Sequence, residues 1–153
     1  MSEISIRPSK IEDLKTLLEF EQGVIKAERP LDPLLKEGKI TYYNITELIT
    51  SENIQLLVAM SNNEIVGSGY IRLENSNHYQ KNPLHGYIGF MFVKPAFRGQ
   101  KISAKILESL KNWGKEKELK ELRLDVYSNN LSAIKSYSRF GFNNSLVNMK
   151  MEI

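Results

Sequence analysis

Apolar and polar residues alternate at Ile4 and Ile6 and stop at Pro8, which predicts a short strand. Ser9 and Glu12 follow at the spacing of a capping box, in which each side chain satisfies an N–H of the other, so a helix is expected to begin there. Its apolar stripe runs through Ile11, Leu14, Leu17, Leu18 and then Val24 or Ile25. Gly23 is expected to loosen it, and Pro30 and Pro33 to end it. A second helix is expected around residues 46–50.

Residues 55–60 and 64–73 are rich in β-formers and are joined by Ser61, Asn62 and Asn63, which tolerate the backbone of a tight hairpin. Residues 75–83 are polar and loop-like, whereas residues 86–93 (GYIGFMFV) are nearly all apolar, as in a strand covered on both faces. This strand is expected at the centre of the sheet. Ile102, Ile106, Leu107, Leu110 and Trp113 share one helical face, and the helix should end near Gly114. Leu122, Leu124 and Val126 alternate as a strand; Ala133, Ile134, Tyr137 and Phe140 form a short helical stripe closed by Gly141. Val147, Met149, Met151 and Ile153 alternate again and predict a last strand. The resulting order, β-α-α-β-β-β-α-β-α-β, implies an α/β fold with a mixed sheet and helices on its faces.

At 153 residues the chain is expected to form a single domain, residues 1–153. The formal charge of +3 comes from interspersed residues of both signs, and Lys111–Lys120 is broken by Glu116 and Glu118, so neither nucleic acid nor membrane is an expected partner. No apolar run is long enough to cross a bilayer and no secretory leader is evident, which makes a cytoplasmic location the expectation. With no cysteine and only His78 and His85, metal-free chemistry is expected.

Candidate chemistry concentrates in residues 93–104, where Pro95, Arg98 and Gly99 separate a buried strand from the first turn of an amphipathic helix. Such a junction suits an anion: first-turn N–H groups point outward with the positive end of the helix dipole, and Gly99 permits close approach. Arg98, Lys101 and Lys105 add positive charge. The same residues also suit a plain strand-to-helix turn. A second element follows in order, with Asn130, Ala133 and Tyr137 at helical spacing ahead of Gly141-Phe142.

Together these elements resemble the GNAT acetyltransferase family, whose acyl-CoA loop reads V-x-P-x-x-R-G-x-G-x-G/A and whose next motif reads N-x-x-A-x-x-x-Y-x-x-x-G-F. The resemblance implies a mixed, mostly antiparallel sheet, acetyl-CoA as acyl donor and an amine acceptor; it leaves a homodimer open. It also implies that Arg98, Gly99, Gln100, Lys101, Ile102 and Ser103 cradle the CoA pyrophosphate, and that the backbone of Met91, Phe92 and Val93 bonds the pantetheine arm and thioester carbonyl. Asn130 would hold pantetheine or nearby backbone beside Ala133, and Tyr137 would stand next to the sulfur as general acid. Lys101 and Ser103 replace small residues of the motif; Lys101 is expected to keep ordinary right-handed helical angles.

The strand at 86–93 carries no carboxylate, so Glu74, His85, Glu21, Glu28 or water remain as routes for the acceptor's proton. Tyr42, Tyr43, Glu28, Arg29 and Asp32 are candidates to line a polar acceptor pocket, and its acidic groups would favour a cationic amine. The alternative reading is a non-catalytic acyl-CoA-binding module.

Overall fold

The apolar runs of the middle of the chain form one sheet because each is covered on both faces. In the computed structural model, which describes residues 3–153, the strands are β1 (Ile4–Pro8), β2 (Ile54–Ser61), β3 (Glu64–Asn75), β4 (Leu84–Val93) and β5 (Leu122–Arg123). The helices are α1 (Leu14–Glu28), α2 (Ile45–Thr50), α3 (Ile102–Glu116) and α4 (Leu131–Phe140), with single 3-10 turns at Ile11–Asp13, Arg29–Leu31 and Pro95–Phe97. The strand order is β1-β2-β3-β4-β5; the first three pairings are antiparallel and β4–β5 is parallel. This is the mixed, mostly antiparallel architecture expected, except that β3, not β4, is its middle strand.

Alternation along β2 divides the core. Leu56 and Val58 meet Leu17, Phe20 and Val24 of α1 and Ile45 and Leu48 of α2, while Leu57 and Ala59 meet Ile102, Ile106, Leu107 and Leu110 of α3 on the other face. No residue of α4 is fully buried; Tyr137, Phe140 and Phe142 are partly buried against the α3-side cluster. Among the described residues no helix is long and apolar enough to cross a membrane.

Several local expectations are corrected. The helix start falls one residue later than Ser9 and Glu12 suggest: the Ser9 N–H is taken by the Leu56 carbonyl at 2.8 Å, and it is Asp13 that accepts from the Lys10 N–H at 2.9 Å. The Arg7 guanidinium holds the same carboxylate through two bonds of 2.8 and 3.0 Å. Gly23 does not loosen α1. A Cβ there would stand 2.6 Å from the Phe92 ring, so the missing side chain admits that ring against an unbroken helix. Gly114 likewise lies inside α3, where a Cβ would meet Ile71 at 3.3 Å, and Glu118 takes the left-handed exit position instead (φ 62°).

The C-terminal strand is absent. Residues 143–153 adopt neither helix nor strand, and Val147, Met149, Met151 and Ile153 are 76, 89, 83 and 114% exposed. Period-two alternation states which side chains would share a face; it makes a strand only when a partner edge is engaged. Here Lys150 Nζ instead lies 3.4 Å from Asp32 Oδ2, and β5 keeps an open outer edge.

Candidate active site

Two irregularities open the sheet beside β4. Ser68 pairs with Phe92 and Tyr70 with Gly89, so two steps on β3 oppose three on β4: an extra residue is inserted there. Phe90 absorbs it with φ 54°, a conformation that side chains rarely adopt. The displaced Phe90 carbonyl is not orphaned, since the buried Ser68 hydroxyl donates to it at 2.9 Å. Beyond this point the parallel pairing with β5 is gone: it joins only Gly86 to Leu122 and Tyr87 to Arg123. The Tyr87 hydroxyl donates to Asp125 at 3.0 Å and closes the narrow end. The β5-facing edge of β4 from residue 88 to Val93 therefore lines a widening gap, which includes Met91, Phe92 and Val93.

At the gap's wide end the chain turns through Pro95–Phe97 into α3. Val93, Phe97, Arg98, Gly99, Lys101, Ile102 and Ser103 line a pocket of about 170 Å³; the exposed Gln100 is not among them. A shallower hollow of about 250 Å³ lies elsewhere, between β1 and α3 near Arg7 and Trp113. The α3 start has no side-chain cap, so its first N–H groups remain available to an anion. Gly99 has φ 82°, and nothing lies within 4 Å of where its Cβ would stand, so its backbone is open to close approach. Arg98 Nε donates to the Val93 carbonyl at 3.1 Å, which orients the guanidinium across the turn.

Lys101 departs from expectation. It precedes the helix as its N-cap and adopts φ 63°, ψ 25°, because the chain must reverse its twist between Gly99 and Ile102. A side chain there costs roughly 1–2 kcal/mol, partly offset by the roughly 0.5–1 kcal/mol of entropy that glycine loses on folding. Lys101→Gly is accordingly expected to stabilise the fold by about 0.5–1 kcal/mol, read as a Tm increase of about 2–4 °C at the upper value in a thermal melt.

Asn130 caps α4: its Oδ1 accepts from the Ala133 N–H at 3.3 Å, so the local role of this side chain is structural. That cap fixes the helix that carries Tyr137, whose ring meets Phe142 edge-on at 6.0 Å. Burial pushes the Tyr137 phenol up to about 12, with the negative charge of Glu28 adding to the effect, so it is protonated throughout the neutral range.

Of the possible bases, Glu21 is 1% exposed and fully engaged, accepting from the Tyr42 and Tyr43 N–H groups at 2.7 Å each. It anchors the segment that follows α1. Glu74 is bound to Arg72 and faces the buried His85, whose Nδ1 is 2.8 Å from Ser76 Oγ. That pair is five residues before Phe90, roughly 17 Å along the strand. Glu28, at the end of α1, differs. Burial raises its carboxyl above the usual range; the Tyr42 phenol partly offsets this, and the negative Asp32 adds to it. The buried Tyr42 hydroxyl beside it meets no partner in full hydrogen-bond geometry among the described residues.

The expected acceptor pocket is therefore only partly assembled from the residues named for it. Tyr43 packs tilted against Phe90 at 4.6 Å on the margin of the core, and Arg29 is spent on the Lys36 carbonyl (2.7 Å) and the Gly38 carbonyl. Glu28, Asp32 and Tyr42 remain, joined by Tyr127, which the sequence did not single out for a role. Its hydroxyl donates to Asp32 at 2.7 Å, and this bond, with the Leu34 N–H, holds the Asp32 carboxyl below its ordinary value. The signal for Tyr127 was its place just after Val126, where a strand leading to a motif helix must end beside the site.

Comparison with known proteins adds to this geometry. Residues 17–142 match the profile of the Acetyltransferase (GNAT) family. No curated protein sequence matches the chain. A mutant of the BH1408 protein from Bacillus halodurans superposes with a TM-score of 0.88 at 20% identity, over 97% of this chain and 99% of that one. A predicted acetyltransferase from Clostridium acetobutylicum, solved with acetyl-CoA, has a TM-score of 0.74 at 20% identity over 98% and 96%. Glucosamine-6-phosphate N-acetyltransferase from Arabidopsis thaliana has a TM-score of 0.66 at 20% identity over 98% of both chains.

Proposed function

Because the chain belongs to the GNAT acetyltransferase family, we propose that it transfers an acetyl group from acetyl-CoA to a primary amine, with Glu28 and Tyr137 handling the protons. The observation that carries this reading is the pocket at the wide end of the β4 edge, lined by Arg98, Gly99, Lys101 and Ser103 at the uncapped start of α3; burial, with the charge of Glu28 adding to it, keeps the Tyr137 phenol protonated. A base held above the usual carboxylate range and an acid protonated at neutral pH are the pair that acyl transfer to an ammonium requires.

The residues present fit acetyl-CoA. The uncapped start of α3, Gly99 and the Arg98 guanidinium would hold the diphosphate, with Lys101 and Ser103 at the rim; the free edge of β4 at Met91, Phe92 and Val93 would bond the pantetheine amides as a missing strand would. The bound donor supplies an activated acyl carbon. N–H groups on the β4 edge would stabilise charge on the acyl oxygen without reorganisation. Glu28 takes the proton of the incoming ammonium; as the N–C bond forms and the C–S bond breaks, Tyr137 gives its proton to sulfur and recovers one from solvent. Asp32, kept ionised by Tyr127, gives the acceptor side a negative wall and favours a cationic amine.

The test combines calorimetry with acetyl-CoA and a thiol-release assay over a panel of amines. The chain has no cysteine, so every thiol detected is free CoA. Saturable binding and release that depends on a cationic amine are expected. Binding without turnover on any amine would favour a non-catalytic acyl-CoA module, and absence of binding would remove the reading.

A further inference from the structure

The extra residue in β4 needs something to hold it in place. Two steps on β3, from Ser68 to Tyr70, face three on β4, from Phe92 to Gly89, and Phe90 takes up the mismatch at φ 54°. An inserted residue also resets the alternation of backbone groups: past it, the N–H groups that face the free edge belong to residues of the other parity. The position of the insertion therefore decides which of Met91, Phe92 and Val93 turn an N–H toward the gap.

That position has a competitor. Movement toward the start of β4 is opposed by β5, since Gly86 and Tyr87 are paired there and the Gly86 N–H reaches the Glu121 carbonyl at 3.0 Å. In the other direction a slide would set Met91, in place of Phe92, opposite Ser68 and turn over the edge from there to Val93. Such a ladder relieves the strain at Phe90, so the bulged arrangement has to be stabilised by a contact that it alone makes.

Ser68 makes that contact. Its side chain is fully buried, with Val58 and Phe92 as cross-strand neighbours, and a hydroxyl left unsatisfied in such surroundings is costly. It donates at 2.9 Å to the Phe90 carbonyl, the group that the insertion displaces. The residues on either side have no side chain: a Cβ at Gly67 would stand 3.0 Å from the Phe92 carbonyl, and one at Gly69 would stand 2.5 Å from the Met91 sulfur. Gly67-Ser68-Gly69 is thus shaped to the back of the Met91 to Val93 edge, with a single hydroxyl as its latch.

We propose that Ser68 is a positioning residue for the acyl donor: by latching the Phe90 carbonyl it keeps the edge from Met91 to Val93 in the register that the pantetheine arm would use. The inference rests on the acetyl-CoA reading of the site and adds to it a β3 residue that lies outside both sequence motifs. Ser68→Ala leaves the Phe90 carbonyl unsatisfied in the bulged register alone, so the competent register becomes a minor population and the apparent affinity drops with it. Calorimetry on the native chain and the variant, with acetyl-CoA and separately with ADP, tests this. ADP carries the diphosphate and no pantetheine, so it draws on the start of α3 and not on the β4 edge. The acetyl-CoA Kd should rise about tenfold in Ser68→Ala while the ADP Kd stays within about twofold. Ser68→Cys, similar in size with a weaker donor, should fall between native and alanine. An acetyl-CoA Kd that does not move in Ser68→Ala, or a parallel loss for both ligands as general loosening would give, overturns the role of Ser68 and leaves the acetyl-CoA reading standing. A native chain that binds neither ligand overturns both.

Discussion

Tyr137→Phe should lower the turnover of acetyl transfer by about 100-fold or more while leaving the acetyl-CoA Kd within about twofold. The ring contributes through packing against Phe142, which phenylalanine preserves, and its hydroxyl has no hydrogen-bond partner among the described residues. Removing the oxygen should therefore leave the packing intact and, on the proposed mechanism, deprive the departing sulfur of its proton source. Steady-state kinetics together with calorimetry separate the two effects: a fall in kcat with constant affinity identifies a group that acts in the transition state. Unchanged turnover would remove Tyr137 from the acid role.

Glu28→Gln should reduce turnover by a comparable factor, about 100-fold, and also change the shape of the pH profile. In the native protein burial and the neighbouring Asp32 raise the Glu28 carboxyl, so kcat/KM is expected to rise with pH along an acid limb displaced above the ordinary carboxylate value of about 4.3. That limb should vanish in the amide variant. Stability should move the other way. A carboxyl whose pKa is higher folded than unfolded favours the fold below the unfolded value and loses that contribution as pH climbs through the folded one. At neutral pH the ionised Glu28 thus works against folding, and the neutral amide should raise Tm. A variant that is less stable as well as less active would point to a structural role for Glu28.

How much of this was legible in the sequence depended on whether the signal was local. The Arg98-Gly99 junction and the Asn130, Ala133, Tyr137 spacing are patterns of neighbouring residues, and each falls at the start of a helix, α3 and α4 respectively. The Phe90 bulge was hidden because GYIGFMFV is apolar throughout, leaving no alternation for an inserted residue to interrupt. Gly89 was the available hint: a glycine inside a strand marks a close approach, and a Cβ there would stand 2.4 Å from the Tyr70 ring. Lys101 was misjudged since the helical stripe begins only at Ile102 and says nothing about the residue before it. Glu28 could not be told from other helix-end carboxylates, because its environment is made by Tyr42 and Asp32, which tertiary folding brings to it. The tail alternates in sequence but forms no strand, because alternation says which side chains share a face and not which edge, if any, they join.

The Phe92 ring lodged at Gly23 gives helix α1 a fixed zero point on the strand that would carry the donor. From there to Glu28 the helix advances five residues, roughly 7.5 Å of stiff rod. The reach of the carboxylate is thus gauged by helical pitch and keyed to β4 itself, so that, on the proposed mechanism, the distance over which Glu28 would collect a proton is set by the helix and not by the loops around the acceptor.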